Sequence, residues 1–120
     1  MTLSRSERNA GRVVWGIFDR WQLSFSERLV LLGLPADSES TGSTYSIIFT
    51  NEESRERVWL LTVLHVHLGL LGVGTGRKAG SWMKTPSSAF QGRSPIAMVG
   101  ELGIAGLEAV LEYVMDEAGT

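Results

Sequence analysis

The sequence predicts an all-α fold, a compact helical bundle around one core. Three observations carry that prediction. Two Ser/Thr-x-x-Glu capping boxes stand at Ser24–Glu27 and Thr50–Glu53, a Ser94-Pro95 pair opens a third helix, and apolar residues recur at helical rather than strand spacing. A capping box satisfies two backbone donors that a helix start otherwise leaves unpaired, so it is a local signal with a mechanism.

The first helix is predicted over about Asn9 to Gln22, because Val14, Ile17, Phe18 and Trp21 fall on one face. Gly16 weakens it slightly. A short second helix follows Ser24 and carries Leu29, Val30, Leu31 and Leu32, with Gly33 as the stop and Pro35 beyond it. Ala36 to Gly42 is small, polar and acidic and reads as a loop. Tyr45 to Phe49 is short and apolar and reads as a short helix or an extended connector, because no other segment offers a strand partner.

The helix capped by Thr50 should run to about Leu71. After Arg57 its apolar residues cover nearly the whole circumference, so it is expected to be the central and most buried element. Gly72 to Gly76 ends it. A short helix around Lys78 to Lys84 carries Trp82 and Met83, and Thr85 to Ser88 is a turn. Trp82, Pro86 and Phe90 are expected to clamp that turn-rich stretch onto the core. After the Ser94-Pro95 start, the last helix covers about Ile104 to Asp116. Ile104, Leu107, Leu111, Val114 and Met115 line one face, and Glu108, Glu112 and Asp116 form an acidic ridge.

At 120 residues the chain can bury such a core without covalent staples. It has no Cys, which excludes disulfides, thiol catalysis and thiolate metal sites and is compatible with a cytoplasmic location, the one expected. Met1 to Gly11 is polar and shows no secretory-leader pattern, so none is expected. The longest apolar stretch, Val58 to Leu71, is interrupted by Thr62, His65, His67 and Gly69. It falls short of the roughly 20 apolar residues of a membrane-spanning helix, and no membrane partner is expected.

The net charge of −2 excludes a uniformly basic polyanion binder, but the distribution is uneven. Residues 77–93 hold four cations and no acid, and residues 94–120 hold five acids and no cation. Each run is either a solvated face or a face matched to a charged partner.

No catalytic or cofactor constellation emerges. His65 and His67 point about 200° apart on a helix and cannot share a metal there. Gly72 to Lys78 fails the phosphate-loop pattern, because Ala79 follows Lys78, and it fails the dinucleotide pattern for want of a preceding strand. The acids of the last helix have no paired base or nucleophile near them in sequence. The expected protein is a non-enzymatic binding protein without a cofactor or metal.

The first two helices and the Gly33 turn look like the first part of a helix-turn-helix. Between Arg28 and Arg55, however, there is no Lys or Arg, whereas Asp37 and Glu39 are acidic, so a recognition helix would lack its cations. Any DNA contact is expected from Arg5, Arg8 and Arg12.

The run Trp82-Met83-Lys84-Thr85-Pro86-Ser87-Ser88-Ala89-Phe90-Gln91-Gly92-Arg93-Ser94-Pro95-Ile96, followed by Glu101-Leu102-Gly103 and Gly106-Leu107, resembles the toxin-binding domain of Xre/MbcA/ParS-type antitoxins. The resemblance spans Leu64 to Gly119. Ser87 stands where that family usually has Asn, and Gly72 to Gly76 replaces its usual helix start. The resemblance implies two regions: residues 1–49, a degenerate helix-turn-helix-like part, and residues 50–120, a toxin-binding part. It implies an antitoxin of a type II system, paired with a toxin, usually a NAD-consuming RES-domain enzyme, whose active site it occludes. The alternative is a DNA-binding repressor of the same operon, with operator DNA bound together with the toxin. A homodimer is among the assemblies it allows. The toxin-binding residues expected are Trp82, Lys84, Phe90, Arg93, Tyr113, Asp116 and Glu117.

Overall fold

We analysed a computed structural model that describes residues 5–34, 52–73 and 76–117, with the first four of these described by backbone alone. Six α-helices occur among the described residues: α1 (Arg5–Arg20), α2 (Phe25–Leu32), α3 (Glu52–Leu71), α4 (Arg77–Lys84), α5 (Pro95–Leu102) and α6 (Ile104–Glu117). A single 3-10 turn, Ser88–Phe90, links α4 to α5, and no strand appears among the described residues. The fold is all-α, as the periodicity predicts. The expectations for Tyr45 to Phe49 and for the Thr50 cap lie outside the described residues.

Helix α1 begins one turn earlier than its apolar pattern suggests and ends earlier, at Arg20. Its end is a Schellman-type closure: the Leu23 amide donates to the Phe18 carbonyl at 3.1 Å and the Gln22 amide to Asp19 at 3.1 Å. Gln22 takes the left-handed position, with φ at 55°. The Ser24 box then forms as read. The Ser24 amide donates to Glu27 Oε1 at 2.7 Å, and Ser24 Oγ accepts from the Glu27 amide at 3.1 Å. Gly33 closes α2 at φ 70°.

Arg28 locks the α1–α2 corner. It pairs with Asp19 at 2.9 Å, donates to the Leu23 carbonyl at 3.1 Å and lies 4.7 Å from the Trp15 ring centroid. Val14, Ile17, Phe18 and Trp21 face inward and meet Leu61, Leu64 and Leu68 of α3 and Leu107, Val110 and Val114 of α6 in one core.

Helix α3 packs on α6, α1 and α2, so it does join the two halves of the molecule. It is not buried all round, which corrects the sequence expectation. Its inner face is Ser54, Arg57, Val58, Leu61, Leu64 and Leu68. On the opposite side Trp59, Val66 and Leu70 are 67%, 53% and 65% exposed. Among the described residues the other helices pack on the inner side of α3, and Trp59, Val66 and Leu70 stay outside that contact. Among the described residues, no helix is long and apolar enough to cross a membrane.

Two glycines set the closest helix approaches. A Cβ on Gly80 of α4 would collide with the Trp21 carbonyl, and one on Gly106 of α6 would collide with the Met98 carbonyl of α5. These contacts seat α4 against α1 and α6 against α5.

Candidate partner-binding surface

The surface is built on the segment from α4 to α6. Gln91 at φ 57° and Gly92 at φ 85° fold the α4–α5 connection into a tight loop. The Ser87 amide donates to the Arg93 carbonyl at 3.1 Å, and the Gly92 amide to the Ser87 carbonyl at 2.9 Å. Ser94 Oγ accepts from the Ala97 amide at 3.1 Å and Pro95 takes the first helical position, so the α5 start forms as its sequence signal predicts.

Phe90 is the buried anchor of this loop. Its ring lies 5.2 Å from Tyr113 of α6 and 6.4 Å from Trp82 of α4, both edge-to-face. The sequence reading expects Trp82, Pro86 and Phe90 to clamp the loop together. The clamp is Phe90 with Trp82 and Tyr113, both half-buried, whereas Pro86 is exposed. Pro86 stiffens the turn through its own ring rather than by burial.

The expected partner-contact residues fall into separate places. Trp82, Phe90 and Tyr113 are one cluster, with Phe90 buried and Trp82 and Tyr113 half-buried. Arg93 sits beside the loop and pairs with Glu101 through two contacts, Nε to Oε2 at 2.6 Å and Nη2 to Oε1 at 2.9 Å. Lys84 turns the other way: its Nζ donates to the Gln22 carbonyl at 3.3 Å and stands 3.9 Å from Glu27. Asp116 and Glu117 are exposed in the last turn of α6, which carries no cation. Arg12 is exposed on α1, on the far part of the fold. Arg5 and Arg8 lie in its first turns.

A groove of about 290 Å³ runs between α3 and α6 and was not anticipated from sequence. Leu60, Leu111 and Met115 form its apolar part, and Glu108, Glu112 and Asp116 its acidic rim. The acidic ridge was legible from the four-residue spacing. The groove was not, because it needs Leu60 of another helix beside it.

His65 and His67 do not converge on a site. His67 Nδ1 bonds the Val63 carbonyl at 2.9 Å within its own helix. The His65 ring lies 6.2 Å from that of Trp21, and burial, then the Arg20 charge, push its pKa down. No metal-ligating cluster occurs among the described residues.

Residues 70–119 match the model of the antitoxin Xre/MbcA/ParS C-terminal toxin-binding domain. Neither the curated proteins nor the solved structures contain a match to the chain. The match covers the segment from the end of α3 through α6, which is similar to the toxin-binding domain of that antitoxin family. The glycines and aromatics that carry the resemblance have physical work in this fold: Gly106 admits the α5 backbone, and Phe90 holds Trp82 and Tyr113.

Proposed function

We propose that the chain is the antitoxin of a type II toxin–antitoxin system and neutralises a NAD-consuming RES-domain toxin by occluding its active site. One observation supports this reading beyond the family match. Glu112, Asp116 and Glu117 are exposed at the end of α6, and among the described residues none of them forms an ion pair. Acids at a helix C-terminus oppose the helix dipole at a cost of a few tenths to about 1 kcal/mol. A purely structural helix gains from cations there, so the acidic end suits a cationic partner. A cleft that binds a dinucleotide pyrophosphate presents Arg or Lys groups, and carboxylates can take the place of the phosphates as charge-assisted acceptors.

In this reading the Tyr113–Glu117 turn enters or crosses the toxin cleft. Trp82, Phe90, Lys84 and Arg93 make and support the flanking contact, Phe90 acting from beneath as the anchor of Trp82 and Tyr113. The protein acts by binding, and the domain division at residues 49 and 50 separates the region that carries α1 and α2 from the toxin-binding region. Arg5, Arg8 and Arg12 serve only weak phosphate contact. The test is to express the chain with a RES-domain protein encoded beside its gene, then measure NAD consumption by that protein alone and with the chain. Co-purification with loss of NAD consumption supports the reading. A toxin that consumes NAD unimpeded in the presence of excess chain defeats it.

A further inference from the structure

The groove between α3 and α6 joins an apolar floor to an acidic rim. Leu60 of α3 and Leu111 and Met115 of α6 make the floor, and Glu108, Glu112 and Asp116 make the rim. Leu60 and Met115 are only half-buried, so the described residues leave part of the floor open. The rim acids are exposed, and among the described residues Glu108 and Glu112 form no ion pair. Spaced four residues apart, the three acids run along α6 for about 12 Å. Tyr113, which meets Phe90, lies about 200° around the helix from both Leu111 and Met115. The groove is therefore on the flank of α6 turned away from the Phe90 loop.

At about 290 Å³ the groove falls just below the roughly 300–1,000 Å³ of ordinary small-molecule sites, and its lining holds no aromatic ring and no cation. Its size suits a few side chains of a helix laid between α3 and α6. An extended peptide would need a free strand edge, and no strand occurs among the described residues. Like charge keeps nucleic acid and anionic lipid from the rim. The segments outside the described residues do not supply the missing cations either: residues 1–4, 35–51, 74–75 and 118–120 contain no Lys or Arg.

We infer that the α3–α6 groove binds a cationic amphipathic helix of a partner protein. Lys or Arg at four-residue spacing on that helix meets Glu108, Glu112 and Asp116, and the apolar stripe beside them covers Leu60 and Met115. The inference does not rest on a NAD-consuming partner or on entry of the Tyr113 turn into a cleft.

The test uses the full chain and a synthetic Lys/Leu peptide of about 18 residues, long enough to form a helix, with Lys at four-residue spacing beside a Leu stripe. A second peptide has the same composition with the periodicity scrambled. Amide NMR of the chain should show shifts gathered at Leu60, Glu108, Leu111 and Met115, and the amphipathic peptide should bind about tenfold or more tighter than the scrambled one. Glu108→Gln with Glu112→Gln should weaken binding about tenfold at low salt and less at high salt, with helical circular dichroism unchanged. Leu60→Ala should weaken it about threefold or more at either salt concentration. No binding of the amphipathic peptide overturns the inference, and so does equal binding of the two peptides, which is general charge attraction. Shifts that fall elsewhere overturn it too, as do shifts at the groove on dilution of the chain alone, which mean that a second copy already fills it.

Discussion

Arg57 of α3 donates from Nη1 to the carbonyl of Leu31, near the end of α2, at 3.2 Å. The same nitrogen lies 3.4 Å from the Val30 carbonyl. A cation from one helix thus takes up the Leu31 carbonyl at the end of another, beside the Val30 carbonyl that the Gly33 amide already bonds, and it sits at the negative end of that helix's dipole. The residue is only 5% exposed, and Gly33 and Gly103 leave room for its side chain. Glu53 stands 3.7 Å away but is largely solvated, so it adds little.

Replacing Arg57 should therefore unfold the protein more easily. Arg57→Ala leaves the buried Leu31 carbonyl without its side-chain donor and empties a buried site, and should cost about 1–3 kcal/mol. Arg57→Lys should recover part of that, because one ammonium can reach the carbonyls only from a shorter, rounder head. Urea denaturation checks both. A cost for Arg57→Ala within a few tenths of a kcal/mol would mean that the contact is incidental.

Gly80 and Gly106 give a second stability prediction. Gly→Ala in a helix normally stabilises by up to about 1 kcal/mol through propensity. Here the added Cβ meets backbone carbonyls of Trp21 and Met98, which cannot rotate away. Gly80→Ala and Gly106→Ala should each destabilise, by about 1–3 kcal/mol as the helices are forced apart. Gly16→Ala is the control: nothing lies within 4 Å of its Cβ position, and it should be neutral or stabilising.

Much of this was legible in the sequence, and the boundary of what was legible is physical. The Ser24 box and the Ser94-Pro95 start are local interactions, and both form as read. The inward face of α6 follows from its spacing. The orientation of α3 does not, because it carries apolar residues on both faces and only the placement of α1 and α6 decides which face is covered. Arg57 looked like the last polar residue before an apolar run. Its burial depends on the end of α2, more than twenty residues earlier. Composition groups Pro86 with Trp82 and Phe90, yet Pro86 is exposed on the tight loop.

The aromatic cluster separates anchoring from contact. Phe90 is 4% exposed, so Phe90→Ala should cost about 3–5 kcal/mol and loosen the loop. Trp82 is only half-buried, and Trp82→Ala should cost less, about 1–3 kcal/mol. Thermal melts of the two variants give the order directly. A larger loss for Trp82→Ala than for Phe90→Ala would place the anchor on the wrong ring.

His65 makes stability depend on pH. Its pKa is lowered in the folded protein, by burial and then by Arg20, from an ordinary value near 6.5. The unfolded chain therefore binds this proton more readily than the native one. The stabilising contribution is complete above about pH 6.5 and is lost as the pH falls below it toward the folded value. His65→Gln should flatten the fall in melting temperature between about pH 7 and 5, and Arg20→Gln should reduce it. An unaltered slope in His65→Gln would assign the acid sensitivity elsewhere.

In the proposed function the acidic end of α6 meets a cationic cleft of the toxin, and association kinetics test that contact most directly. Asp116 and Glu117 are exposed, so the double change Asp116→Lys with Glu117→Lys should leave the melting temperature nearly unchanged. Its association with the cognate toxin, followed at low and at high salt, should slow by about tenfold or more at low salt, and the difference should shrink at high salt as the charges are screened. NAD consumption by the toxin should rise in parallel. Association at the unaltered rate at both salt concentrations, with full neutralisation of the toxin, would contradict the account.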